Sequence, residues 1–178
     1  MALRFRNVGE PASPRVTGVP VLYLDYDGVL HPEEVWQRRG ARPYVKNPPG
    51  HALFERAELL TEVLAPYPKL TIVLSTSWSR AFGYTRAASY LPAALRRRCI
   101  GATFHREMDR YSFEAASRGH QVLDDVSRRR PTAWLAIDDD FTGWGPWKET
   151  HVVITDPVLG ISEPAVLQQL RTALERFE

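Results

Sequence analysis

Two aspartates, Asp25 and Asp27, close the apolar run Val21-Leu22-Tyr23-Leu24, and Gly28 follows at once. In an extended chain, side chains two residues apart point the same way, roughly 6.5 Å from one another. The pair can therefore serve one site. Gly28 lets the chain turn away with no Cβ in its path. Taken alone, the stretch is equally an ordinary strand that ends in an Asp-Gly turn. Two later apolar runs also end in polar clusters. Residues 70–74 lead into Ser75-Thr76-Ser77, and residues 133–137 lead into Asp138-Asp139-Asp140. In open parallel sheets, ligands bind just outside the carboxyl ends of the strands. Three such ends in one place would gather four or five carboxylates and two or three hydroxyls.

Clustered carboxylates repel one another in a partly buried site unless a cation holds them together. Hard oxygen ligands with no set of His or Cys favour Mg²⁺ over Zn²⁺. A Mg²⁺ centre beside hydroxyls is what phosphoryl chemistry needs, because metal, hydroxyls and backbone N–H groups share the phosphate oxygens. A carboxylate can also be the nucleophile and pass through an aspartyl-phosphate. Asp25 would then attack phosphorus, while Asp27 would protonate the leaving alkoxide and afterwards activate water. General acid–base help of this kind contributes roughly 10²–10⁴-fold. The missing cation is Arg118, which opens the helix before the fourth strand and can reach the same sheet edge. By itself, an Arg at that place is an ordinary surface charge.

The elements that must position these residues come in order along the chain. Residues 1–18 are rich in Arg, Gly and Pro without periodicity and read as an irregular leader, with a short strand near residues 3–8. Residues 19–178 read as one domain. Residues 31–50 hold so many Pro, Gly and Arg that a loop or small flap is expected. Residues 51–65 have helical spacing, and Pro66 and Pro68 end the helix. Residues 85–98 read as one or two helices with a restart at Pro92, and residues 99–103 as a short third strand. A loop is expected over 104–117, a helix over 119–129, a fifth strand over 151–155 and an amphipathic helix over 163–177. The triplets Arg96–Arg98 and Arg128–Arg130 fit solvated helix ends, where positive charge suits the helix dipole. Strands alternating with helices predict an α/β layer fold around a parallel sheet.

With these motifs in order, residues 20–156 resemble the haloacid dehalogenase-like (HAD) superfamily. The pattern is an apolar strand with Asp-x-Asp-Gly-Val-Leu, a second with Ser/Thr, a basic residue, and a strand ending in Asp-Asp. More narrowly, VLSTSW, IGAT, AIDDD and TDPVLGIS resemble the HAD domain found in Swiss Army Knife RNA repair proteins. The resemblance implies a Rossmann-like three-layer sandwich with a central, mostly parallel five-stranded sheet. It also implies a Mg²⁺-dependent phosphatase with Asp25 as nucleophile and Asp27 as acid/base, the Asp27 backbone carbonyl lying on the metal. Asp138 and Asp139 complete the metal site, and Asp140 caps the segment after the strand. Ser75 or Thr76 is the phosphate-binding hydroxyl, with Ser75 favoured narrowly. Arg118 stands where most of the superfamily has Lys, and the two differ because Arg is a planar fork and Lys a point charge. Haloacid dehalogenases usually lack the second aspartate, so Asp27 points to phosphate chemistry. Receiver domains carry their acid pair early and their phosphorylated Asp on a middle strand, an order this chain does not follow.

Neither gap between motifs holds a folded cap domain, so the site is expected to be capless or to carry only the small flap. An open site suits a large phosphorylated substrate such as a nucleic-acid 3′ or 5′ end. It also suits a small metabolite or nucleotide if the flap closes, or a binding module without turnover. Gly28, His31, Ser77 and Trp78 lie near motif ends as candidate substrate contacts, and so do Trp36, Arg38 and Arg39, although Trp36 and Trp78 read more readily as structural. Trp144 and Trp147 are expected as a lid or a surface plug, and His105 and His120 as bystanders.

The net charge of +2 is too small to imply nucleic-acid binding by itself. Cys99 is the single cysteine, which excludes an internal disulfide and fits a reducing cytoplasm. No apolar run approaches the roughly 18 residues of a membrane span, and charged residues interrupt the N-terminus where a signal core would lie. The expectation is a cytoplasmic protein of undetermined oligomeric state.

Overall fold

Period-two alternation explains the centre of the molecule. In the computed structural model, which describes residues 14–178, β1 (Val21–Leu24) is buried at every position. Leu22 and Leu24 face one apolar layer, and Val21 and Tyr23 face the other. A strand covered on both faces needs an unbroken apolar run, which is how it reads in the sequence.

After β1 the chain forms a hairpin of β2 (Glu34–Trp36) and β3 (Tyr44–Asn47), then α1 (Ala57–Leu64). Next come β4 (Thr71–Leu74), α2 (Ser77–Phe82), α3 (Tyr84–Ser89), α4 (Ala93–Arg96) and β5 (Cys99–Ala102). Then α5 (Arg110–Ala115) and α6 (Arg118–Arg129) lead to β6 (Trp134–Asp138). A 3₁₀ turn at Gly145–Trp147, α7 (Lys148–His151), β7 (Val152–Ile154), α8 (Pro164–Leu174) and a 3₁₀ turn at Glu175–Phe177 complete the chain.

The five long-range strands form one sheet in the order β5-β4-β1-β6-β7, and every pairing is parallel. With α1, α3 and α8 packed on one face and α6 on the other, this is a three-layer Rossmann-like α/β fold. The chain runs outward from β1 through β4 and β5, then crosses to β6 on the far side. The crevice where strand order reverses therefore lies between β1 and β6, the usual ligand position in such sheets.

The same alternation aims the acids. Asp25 shares the face of Val21 and Tyr23, and Asp138 shares the face of Trp134 and Ala136. Both therefore point toward α6. The residue that opens α6 is Arg118.

Several local expectations change. The segment expected as loop or small flap over 31–50 contains the β2–β3 hairpin, whose short strands are mostly exposed. The helix expected over 51–65 starts only at Ala57, because Phe54 takes a left-handed φ of 59°. The loop over 104–117 contains α5, capped by the Asp109 side chain on Ser112 N. The Arg triplets are not wholly solvated. Arg98 donates to the carbonyls of Leu64, Tyr67 and Leu70, so it closes the end of α1. Arg129 is buried against Asp125. Trp144 is neither lid nor surface plug: it is 1% exposed in the core beside Tyr23 and Trp134. The strand expected near residues 3–8 lies outside the described residues.

Candidate active site

Arg118 is the hub. Its Nη2 donates to Asp25 Oδ2 at 3.2 Å, and its Nε lies 3.2 Å from Asp138 Oδ2. Its Nη1 donates to Gln121 Oε1 at 3.2 Å, one helical turn on. The Gln121 amide in turn donates to the carbonyls of Phe113 and Ala116, which ties α5 to the same group. Sequence reasoning misses Gln121, although its i+3 spacing from Arg118 is there to be read.

The position of Arg118 is set by backbone contact. Gly119 N donates to Thr142 O at 3.0 Å, and a Cβ on Gly119 would collide with the backbone of Gly143 and Trp144. The start of α6 is thus pressed against the loop that follows β6. Gly28 makes a second such approach. It sits at φ +67°, and a Cβ there would run into the Asp139 carboxylate. Glycine alone allows both the turn and the acid beside it. Gly28 therefore shapes the site from its backbone.

Asp25, Asp138 and Asp139 each offer a carboxylate oxygen within 4.8 Å of the others. Asp25 Oδ1 accepts from Tyr26 N at 2.7 Å, and Asp138 Oδ1 accepts from Asp140 N at 3.1 Å. Asp138 Oδ2 has no hydrogen-bond partner among the described residues; Arg118 Nε is close to it but not aligned. Burial is the largest influence on all three acids and favours the proton-bound form. It raises Asp25, with Arg118 opposing and Asp27 reinforcing, and raises Asp138 well above the usual range. Asp139 is raised to about 7 by burial and by the charge of Asp25. Burial pulls Arg118 downward, but Asp25 and Asp138 outweigh it and hold the guanidinium firmly charged. Three acids against one base leave a surplus of negative charge in a poorly solvated place. An oxygen-only donor set with an unpartnered buried oxygen fits a hard divalent cation.

Asp27 stands apart, with its side chain 26% exposed. Its Oδ1 accepts from His31 Nε2 at 3.0 Å and from Trp78 Nε1 at 2.9 Å. His31 Nδ1 accepts from Phe54 N at 3.2 Å, so the hydrogen-bond network assigns the ring a neutral form with its proton on Nε2. Ser77 Oγ lies 3.4 Å from Asp27 Oδ2. His31 and Trp78, named among the candidate substrate contacts, are 0% and 3% exposed, and both hold the Asp27 carboxylate.

Beside the carboxylates opens a cavity of about 210 Å³ lined by Thr76, Ser77, Arg80, Ser117 and Arg118, with Phe113 and Glu114 of α5 forming one wall. Thr76 caps α2 by accepting from Trp78 N, and the cap leaves it at the cavity wall. Ser75 lies deeper, and its hydroxyl has no partner among the described residues. Arg80 is held 3.1 Å from Glu114, which Arg110 also holds at 2.7 Å. Asp140 reaches the rim and accepts from Thr142 N and Oγ1, the capping part expected of it. The arrangement can bind a compact anion at Thr76 and Arg118, next to a carboxylate able to attack it.

Among the described residues, no helix is long and apolar enough to cross a membrane. No curated protein and no solved structure matches the chain. A family model does: the HAD domain in Swiss Army Knife RNA repair proteins matches residues 21–166.

Proposed function

The chain belongs to this HAD domain family, and we propose that it is a Mg²⁺-dependent phosphomonoesterase acting through an aspartyl-phosphate on nucleic-acid 3′ or 5′ phosphate ends. The observation that carries the reading is Arg118, which bridges Asp25 and Asp138 at the edge of a cavity lined by Thr76.

Each residue has a part in this reading. Burial favours a proton on Asp25 and Arg118 opposes it; the form that attacks phosphorus is the carboxylate, which Arg118 and a bound cation both favour. Thr76 and Arg118 hold the phosphoryl oxygens; Thr76 is preferred to Ser75 because it lines the cavity. Asp25 forms a bond to phosphorus as the ester P–O bond breaks. Asp27 gives its proton to the departing alkoxide. It then takes a proton from the water that attacks the aspartyl-phosphate, which releases inorganic phosphate and restores Asp25. His31 and Trp78 both donate to Asp27 Oδ1, so the transferable proton belongs on Oδ2. Mg²⁺ held by Asp25, Asp138, Asp139 and the Asp27 backbone carbonyl would supply the charge that balances the carboxylates and the phosphoryl oxygens.

The cavity takes a phosphate with little more, below the ~300–1,000 Å³ of pockets that enclose whole drug-sized ligands. The rest of the substrate must lie outside it, which suits a polymer end and also suits a mononucleotide. Release of phosphate from 3′-phosphorylated RNA, 5′-phosphorylated DNA and a panel of mononucleotides separates the two. The mechanism itself is tested with Asp25→Asn on an aryl phosphate in Mg²⁺. Wild-type turnover by that variant would overturn it, and oligonucleotide binding with no phosphate release by the wild type would indicate a binding module.

A further inference from the structure

We infer that the β2–β3 hairpin is a binding platform for single-stranded nucleic acid, with bases stacking on Trp36 and Tyr44 and phosphates meeting Arg38, Arg39, Arg42 and Lys46. The binding surface stands on the hairpin alone; that it feeds a strand end to Asp25 rests on the phosphatase reading.

The hairpin has two unlike faces. Val35 and Val45 lie opposite each other on the inner face and are half-buried, and Val35 packs against the main core. That packing is enough to seat the hairpin. On the outer face Trp36 pairs across the strands with Tyr44, and the two are 53% and 39% exposed. Lys46 is two residues from Tyr44 and so shares this face; its Nζ stands 3.7 Å from the centre of the Trp36 ring. The pair steadies the hairpin and still leaves both rings open to solvent.

Charge on the hairpin is also one-sided. Residues 34–47 contain Arg38, Arg39, Arg42 and Lys46 against one acid, Glu34, which Asn47 holds at 2.7 Å, whereas the whole chain nets only +2. All four cations are exposed. Flat rings interleaved with cations suit a chain of bases and phosphates, because every base offers a π-face and every linkage a negative charge. An acidic protein would use the guanidinium groups but would have no need of two flat rings among them.

The hairpin also stands beside the chemistry. It leaves the β1 loop just after His31, and at its root Glu33 N donates to Pro157 O at 2.9 Å. Two residues earlier, His31 holds Asp27 Oδ1 at 3.0 Å. The hairpin thus springs from the loop that carries Asp27.

The experiment uses the full chain and fluorescein-labelled oligonucleotides without a terminal phosphate, one of RNA and one of DNA, read by anisotropy. Wild type binds at least one of them, and Trp36→Ala weakens that binding about tenfold. Replacing Arg38, Arg39 and Arg42 together with Ser leaves the strand pairing untouched. It lowers the slope of log affinity against log salt by about 0.7 for each phosphate that is no longer neutralised. Both variants keep the wild-type melting temperature, which shows an intact fold. Wild-type affinity in both variants, or no oligonucleotide binding by the wild type, overturns the proposal. If the aryl phosphate is not turned over at all while Trp36→Ala still weakens oligonucleotide binding, the phosphatase reading falls and the platform stands.

Discussion

Two buried clusters of aspartate and arginine sit on α6, one at its start and one near its end, and they obey opposite rules. Near the end, Asp125 is a single carboxylate with more partners than it needs. Arg129 donates to both of its oxygens at 2.8 and 3.2 Å, Tyr23 donates at 2.9 Å, and Arg128 lies at 3.4 Å. At the start, a single guanidinium serves Asp25 and Asp138 while Asp139 stands close by. The first cluster is neutralised and saturated, and its helix shields it from any ligand. The second keeps a surplus of negative charge and an oxygen without a hydrogen bond. The same residue types on the same helix thus make a fastening in one place and a candidate active site in the other. What separates them is the sign of the leftover charge.

That contrast can be broken most sharply by one substitution at each end. Asp25→Asn is expected to lower kcat on an aryl phosphate by about 10⁴-fold or more. Its melting temperature should hold or rise, because a repelled carboxylate is gone and Asp138 still faces Arg118. Asp125→Asn should do the reverse. It leaves Arg129 buried without a counter-charge, which costs about 3–5 kcal/mol, or roughly 10 °C in melting temperature for a chain of this size. Its turnover at low temperature should stay near wild type. If both variants lose stability alike, the distinction between the clusters is wrong.

Smaller effects sharpen the contrast. Trp78→Phe keeps the ring packing but removes the N–H that holds Asp27. A hydrogen bond to a charged group is worth ~1.5–3 kcal/mol, so kcat should fall about ten- to a hundredfold. A nearly unchanged KM for the aryl phosphate would mark this as a loss of positioning. The smallest effect is the pH dependence of metal stabilisation. Asp139 titrates at about 7 in the folded chain against an ordinary 3.8, so the folded form holds its proton more tightly than the unfolded one. Stability from that proton is fully present below pH 3.8 and is lost as pH rises through about 7. A bound cation takes the proton's place. The rise in melting temperature on adding Mg²⁺ should therefore be larger at pH 8 than at pH 5.5. An equal rise at both would show that Asp139 is not part of the metal site.

The central strands β1, β4 and β6 are legible in the sequence because an apolar run dominates each, as burial on both faces requires, while the edge strand β5 is half-buried throughout. Their polar ends are legible for the same reason, since Asp25, Ser75 and Asp138 stand where hydrophobicity stops. The hairpin is hidden because its strands have three and four residues and bury only Val35 and Val45 in part. Arg98 and Arg129 escape a sequence reading because a basic residue at a helix end has the same local pattern whether it meets water or a carbonyl. The clamp on Asp27 is out of reach for a different reason. His31 and Trp78 are separated by 47 positions in sequence and meet only after β1 and β4 pair.

The close approach of Gly119 to Gly143 bears on how this site can vary. Neither residue carries a functional group, yet together they fix how far Arg118 can reach. A side chain at position 119 would push α6 away from the loop and draw the guanidinium off Asp25. In a library of variants selected for turnover, positions 119 and 143 should tolerate as little change as position 25. A catalogue of reactive side chains would pass over both.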